Sequence, residues 1–379
     1  MKTVVFSVIF LILPGLAQYG MAQSVVSEVG QPANQRHLSV FYHHGIVVPH
    51  HANMVYFIDD FSRGAEINYG IWRFDTEGWQ QYYNYPEVGV GLFYNSYGNP
   101  EIYGQGMALY PYLHFPLVRK PRFVLKNKIA LGLGYTNKPF HYEDNPRNHI
   151  FGARLNAFVG FGLYAGYRLF DHWSVYLSGA LNHMSNGAVR KPNNGINTVT
   201  LAAGTRYHFR SDKMPDVEGR KAPKRNNRDV QVFLNYGRSQ ANDFNFNIYP
   251  SGSFSVNHLW YRSVKSAWSA GADLIYFGAA PYAYDHPDIV NYVPHVERTF
   301  IGVNGGRHWI MGDTSFFVQL GAYLYSYLDP PQPVYPRLGI RHRITDRLIG
   351  NFSVKASFFR SEFIEFGLGY RIPYKENSL

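Results

Sequence analysis

The sequence has no cysteine, charged residues make up only 16% of it, and beyond residue 25 it contains no apolar stretch of membrane-spanning length. Without cysteine, an exported form of the chain has to be held by hydrogen bonding and packing alone. The charge is too sparse for a disordered chain. After residue 25 the longest nearly continuous apolar run, about Ala157 to Tyr167, falls well short of the roughly 20 residues that a membrane-spanning helix needs, which excludes a helical membrane protein. Also missing are H-E-x-x-H, a phosphate-binding glycine loop and a G-x-S-x-G elbow. What the chain does have is aromatic residues, 31 Tyr and 28 Phe among 379, and a formal charge of +10. The basic residues are dispersed along the chain, so attraction to an anionic lipid surface accounts for them better than nucleic acid does.

Lys2 precedes the apolar stretch Val4 to Leu16, and Gly20 and Ala22 place small residues before Gln23, which reads as a signal peptide over 1–22. Cleavage after Ala17 is the competing site.

Beyond it, period-two alternation dominates. From Leu348 to Phe358 the even positions are Leu, Gly, Phe, Val, Ala and Phe, and the odd ones between them Ile, Asn, Ser, Lys and Ser. Thr314 to Ser326 and Glu362 to Ile372 repeat the pattern. Strands of about ten residues, glycine-rich polar faces, aromatics near strand ends and an export signal predict an all-β chain, a transmembrane antiparallel β-barrel of outer-membrane type. About sixteen such segments occur. They predict about 14 to 16 strands in one barrel, with two eight-stranded units in tandem as the alternative. The expected divisions are the signal peptide (1–22), a first barrel half (23–209), a charged loop or linker (210–228) and a second half (229–379). Gly166 to Asn186 and Gly339 to Ser361 share a G-x-R strand end, a short turn containing Asp and an alternating strand, a weak internal repeat.

The informative segment is Leu181 to Phe209, "LNHMSNGAVRKPNNGINTVTLAAGTRYHF". Trp173, Val175, Leu177, Gly179 and Leu181 form an apolar face, and continuing the alternation puts His183 and Ser185 on it. Two residues apart on a strand, they point the same way, close enough for the imidazole to take the hydroxyl proton. The turn carries Pro192 and Asn194-Gly195, and pairing the strands about it brings Asn197 opposite His183. Three polar side chains then meet on a lipid-facing surface. If the first strand rises from the periplasm, that surface lies at the outer leaflet, where lipopolysaccharide is the substrate at hand. Ordinary strand-end polarity at headgroup level is the competing explanation from spacing alone.

"HMSNGAVRKPNNGIN" resembles the signature of the lipid A 3-O-deacylases (PagL), outer-membrane barrel esterases. The resemblance is good over roughly residues 160 to 209. It implies His183 as general base, Ser185 as nucleophile, and Asn186 and Asn193 as oxyanion candidates, with no cofactor and no metal. Arg190 and Lys191 sit where lipid A phosphates would lie, and solvated turn charges are the other explanation for them. One departure stands out, because the family's triad carboxylate falls on Asn197. An amide accepts the ring hydrogen bond without supplying a charge, which leaves a slow, a silent and a compensated site as alternatives. Phe358 occupies the second-half position equivalent to His183, so at most one site exists.

The partners implied are lipopolysaccharide, outer-leaflet lipid and the barrel-insertion machinery, with location in the outer membrane. The rival readings are a porin using the wide lumen of sixteen strands, and a hydrolase of phospholipid or acyloxyacyl chains. His43, His44, His50 and His51 form the only histidine cluster, but adjacent strand residues face opposite ways, which argues against a shared metal.

Overall fold

The computed structural model describes residues 34–74, 77–211, 217–284, 293–358 and 360–375. The predicted signal peptide and both of its cleavage sites lie outside the described residues. Eight strands, β1 (Gln35–Val47), β2 (Ser62–Trp72), β3 (Glu87–Ser96), β4 (Gln105–Arg119), β5 (Phe123–Thr136), β6 (Leu155–Arg168), β7 (Trp173–Ser185) and β8 (Ile196–His208), close into one antiparallel barrel. Eight more, β9 (Asn227–Gln240), β10 (Ile248–Ser263), β11 (Ser266–Phe277), β12 (Thr299–Met311), β13 (Thr314–Ser326), β14 (Val334–Arg343), β15 (Leu348–Ser357) and β16 (Arg360–Lys375), close into a second.

The expectation of a single barrel of 14 to 16 strands is therefore corrected to its alternative, two eights in tandem. Closure is set by which strand β8 pairs with on its far side. It returns to β1, with Leu38 opposite Tyr207 and His44 opposite Leu201, while β16 returns to β9. The segment between β8 and β9 is long and charged, whereas the turns β4–β5, β6–β7, β10–β11, β12–β13 and β14–β15 at the same end take only two to four residues. The β2–β3 connection at this end is also long, at 14 residues, so length alone does not close the barrel; the pairing of β8 with β1 does, and the charged segment then carries the chain into the second barrel. The internal repeat falls on equivalent strands, β6–β7 of the first barrel and β14–β15 of the second.

Each strand turns its apolar alternate residues outward. On β7, Trp173, Val175, Leu177 and Leu181 are exposed while Ser174, Tyr176, Ser178 and Ala180 are buried. This is the reverse of a water-soluble barrel and suits a lipid environment, in which every backbone group must be bonded within the wall. Among the described residues no helix is long and apolar enough to cross a membrane.

Eight strands leave room inside for side chains and little else. In the first barrel Glu87 accepts from Lys126 (2.6 Å), Arg206 (2.9 Å) and His114 (2.8 Å), and Glu66 bonds His43 at 3.1 Å. In the second, Arg337 lies between Asp273 (3.0 Å) and Glu365 (2.9 Å). The wide lumen that one sixteen-stranded barrel would enclose, on which the porin reading depended, is not formed.

The barrels touch at both ends. At the short-turn end Tyr83, in a 3-10 turn over Trp79–Tyr83, donates to the carbonyls of Lys265 (2.9 Å) and Ile310 (3.0 Å). Burial pushes its hydroxyl up to about 12, so it stays a donor at any physiological pH. At the other end, which carries most of the long loops, the Gln240 amide donates to the Ala188 carbonyl at 3.0 Å.

Candidate active site

β7 and β8 form the hairpin that carries the predicted residues. Its register sets His183 opposite Asn197. His183 and Ser185 lie on the outward face, half-buried, continuous with Leu177 and Leu181, and Asn197 continues into exposed Val199 and Leu201. His183 Nε2 stands 3.0 Å from Ser185 Oγ, and His183 Nδ1 stands 2.7 Å from Asn197 Oδ1. Because an amide oxygen only accepts, Nδ1 carries the ring proton, and the Nε2 lone pair is left for the serine hydroxyl. That is the tautomer a general base needs.

The backbone that aims these groups is fixed from the inside. Met184, between the histidine and the serine, and Ile196, beside Asn197, point inward into an apolar cluster with Tyr97, Ile102, Ile150, Phe151 and Phe158. Tyr97 donates its hydroxyl to Met184 Sδ at 3.0 Å. Loops then close on the hairpin turn. The Asn194 and Gly195 amides donate to the carbonyls of His149 (3.1 Å) and Ile150 (3.2 Å), and the Val48 amide donates to the Asn197 carbonyl at 2.8 Å. Pinning from several directions is how a site holds a reacting geometry to a fraction of an ångström.

Gly195 has two reasons to be glycine. Its φ is +71°, and a Cβ there would lie 2.8 Å from His183 Cε1 and 3.1 Å from Ser185 Cβ. Gly195→Ala is expected to displace the imidazole from the serine. Displacement of the order of an ångström costs up to about 100-fold in turnover, so a fall of about 10- to 100-fold in kcat is expected with the barrel still folded. Steady-state kinetics on a fatty-acyl ester, beside the gel mobility of the folded barrel, checks it.

The other predicted residues are placed as follows. The Asn186 amide N–H donates to Asn193 Oδ1 at 3.0 Å, and Asn186 Oδ1 accepts from the Arg190 amide at 3.2 Å, so the two asparagines knit the turn together. Asn186 Nδ2 is buried and has no hydrogen-bond partner among the described residues, a donor one residue beyond Ser185. Lys191 Nζ donates to the Ala241 carbonyl at 2.5 Å and its amide to Gln240 Oε1 at 3.1 Å, which ties the turn to the second barrel. Gly187 adds to that contact, since a Cβ there would lie 2.4 Å from Ile364 of β16.

The histidine cluster divides. His43 turns inward to Thr200 (2.9 Å) and Glu66, and His44 faces out beside Phe61. Among the described residues no three His, Asp or Glu side chains are placed to share a metal ion. His50 is the residue the sequence did not assign to the site. It lies 3.3 Å from Asn197 Nδ2, across 147 residues of chain. The only sequence signal was its membership of the cluster.

At the second barrel's equivalent strand end, Phe358 stands exposed in the turn after β15, with φ +54°. It cannot act as a base, so this strand end repeats the scaffold without the chemistry.

Three comparisons bear on this arrangement. Residues 66–206 match the family model "Lipid A 3-O-deacylase (PagL)", and residues 228–375 match "Acyloxyacyl hydrolase, C-terminal domain". No curated protein matches the chain. Among solved structures it is similar to a Neisserial surface protein, NspA (11% identity, 47% of this chain and 100% of that one, TM-score 0.32). It is also similar to the outer membrane enzyme PagL (14% identity, 44% and 97%, TM-score 0.31). The two family matches follow the two barrels and together take in about three quarters of the chain. The chain belongs to the PagL and acyloxyacyl hydrolase family, its first barrel matching the lipid A 3-O-deacylase model and its second the acyloxyacyl hydrolase C-terminal domain.

Proposed function

We propose that this protein is an exported outer-membrane esterase that removes an ester-linked acyl chain from lipid A. The observation that carries the reading is the continuous Ser185–His183–Asn197 hydrogen-bond chain on the outward face of the first barrel. A porin keeps its function in the lumen, whereas a lipid hydrolase needs its nucleophile on the wall, and that is where Ser185 lies. The proposal includes loss of residues 1–22 on export, the site-bearing barrel over 23–209, the linker 210–228 and the second barrel over 229–379.

In the proposed reaction His183 Nε2 takes the hydroxyl proton as Ser185 Oγ bonds to the ester carbonyl carbon. The oxyanion is held by nearby amide donors, for which Asn186 Nδ2 and the Asn193 side chain are the candidates. The bond from the acyl carbon to the sugar oxygen breaks, and His183 returns the proton to that oxygen. Water, deprotonated by His183, then attacks the acyl-serine carbonyl, the acyl–Oγ bond breaks to release the fatty acid, and His183 returns the proton to Ser185 Oγ. Every step moves protons between oxygen and one imidazole, and no metal or cofactor enters. With β1 beginning and β16 ending at the short-turn end, taken as the periplasmic one, the hairpin faces the outer leaflet. Arg190 and the loops around the turn are then placed for the phosphates, while Lys191 serves chiefly to hold the turn.

A fluorophosphonate ester tests the nucleophile directly. Peptide mapping should find the adduct on Ser185, and lipopolysaccharide micelles should slow its formation by competing for the same surface. Absence of an adduct on the folded protein would overturn the esterase reading.

A further inference from the structure

Asn197 is the weak member of the proposed triad. An amide has an accepting face and a donating face of nearly equal shape. With Oδ1 toward His183 the imidazole keeps its proton on Nδ1 and is a base at Nε2. Turned over, the amide offers N–H, the imidazole must move its proton to Nε2, and the serine loses its acceptor. A carboxylate has no wrong face. An asparagine here needs something outside the triad to choose its orientation.

The loop between β1 and β2 supplies that group. His50 Nε2 lies 2.8 Å from the Asn194 carbonyl, which can only accept, so Nε2 carries the proton of the neutral ring. His50 Nδ1 is 3.5 Å from the Val48 carbonyl, at the limit of a hydrogen bond, and 3.3 Å from Asn197 Nδ2. With its proton on Nε2, Nδ1 holds a lone pair and accepts the Asn197 N–H. The amide oxygen is thereby left for His183. Each step is forced by the one before it: backbone carbonyl, His50, Asn197, His183, Ser185. The loop is held independently by the Val48 amide on the Asn197 carbonyl at 2.8 Å, and the His51 ring lies against that of His50 with centroids 4.8 Å apart.

We infer that His50 is a positioning residue of the esterase, fixing the amide of Asn197 so that a neutral side chain serves where a carboxylate would otherwise be needed. The inference rests on the proposed function and adds to it a fourth member and a reason why the asparagine suffices. His50 touches no reacting atom in this arrangement and acts entirely through Asn197.

The test is a double-mutant cycle with a spectroscopic readout. His50 is exposed in a loop, so His50→Ala should leave the barrel folded. It should lower kcat by about 10- to 100-fold with KM nearly unchanged, a part of the roughly 10⁴ that a wrong tautomer costs in the serine-protease template. Asn197→Asp presents an accepting oxygen either way round, so in that background the same His50→Ala change should cost no more than about twofold. Equal losses in the two backgrounds would show that His50 only props the loop, and no loss in the asparagine background would show that it does nothing. Either result overturns the inference. Imidazole ¹⁵N spectra of His183 separate this from failure of the esterase reading. The wild type should show the Nδ1–H tautomer and His50→Ala a mixture, whether or not the protein turns over. Identical tautomer populations in the two proteins would overturn the inference independently of activity.

Discussion

Ser185→Ala is expected to lower turnover on any ester the protein accepts by at least about 100-fold, with the barrel still folded. In a full Ser-His-Asp protease, loss of the serine costs about 2 × 10⁶ in kcat, and exchanging the acid for its amide costs about 10⁴ by itself. If Asn197 here were as damaging as in that template, a margin of about 100-fold would remain for Ser185 to lose. Each part of that 10⁴ recovered by orienting the amide widens the margin. The size of the loss therefore measures how well Asn197 is compensated. About 10² marks a crippled site, and 10³ to 10⁴ marks one in which the His50 contact works. Serine and alanine at this half-buried position differ by one hydroxyl, which among the described residues is bonded to His183 alone, so folding should not change. Kinetics on a fatty-acyl ester, with heat-modifiable gel mobility as the folding control, gives both numbers.

Glu87→Gln is expected to have the largest effect on stability. Its carboxylate is fully buried and faces Lys126, Arg206, His37 and His114 inside the first barrel, with the Tyr112 hydroxyl at 3.1 Å. Arg206 grips it with two nitrogens, at 2.9 and 3.1 Å. Glutamine keeps the shape and removes the charge, leaving two cations buried against an amide. Breaking a buried pair in this way costs about 3 to 5 kcal/mol, because the remaining charge is neither solvated nor matched. Urea unfolding of the detergent-folded protein should show the first barrel opening at distinctly lower denaturant while the second barrel is unaffected. An unchanged midpoint would mean that water reaches the lumen and screens the cluster.

Much of this was legible locally. Alternation alone marks β15 from Leu348 onward, and the turn between β7 and β8, taken as a whole, brings His183 against Asn197. What was not legible is long-range. The alternation is the same whether β8 continues into β9 or returns to β1, so nothing in the strands distinguishes one barrel of sixteen from two of eight. Only the length and charge of the segment between them hinted at the answer. The His50 contact joins positions 147 residues apart through a loop, and in the sequence His50 was one of four clustered histidines with no sign that His43 would turn into the lumen and His50 toward Asn197. Nor did the turn reveal that Lys191, basic and at headgroup height, has its ammonium on the Ala241 carbonyl. Side-chain charge is readable from sequence, but its partner is set by the neighbouring barrel.

The central claim is that this hairpin hydrolyses an acyl ester of lipid A, and the mass of lipid A after incubation with the folded protein tests it most directly. The account predicts that lipopolysaccharide treated with the wild type loses the mass of one ester-linked hydroxyacyl chain, and that Ser185→Ala leaves it whole. Lipid A of unchanged mass with both proteins, or the same loss with both, would contradict it.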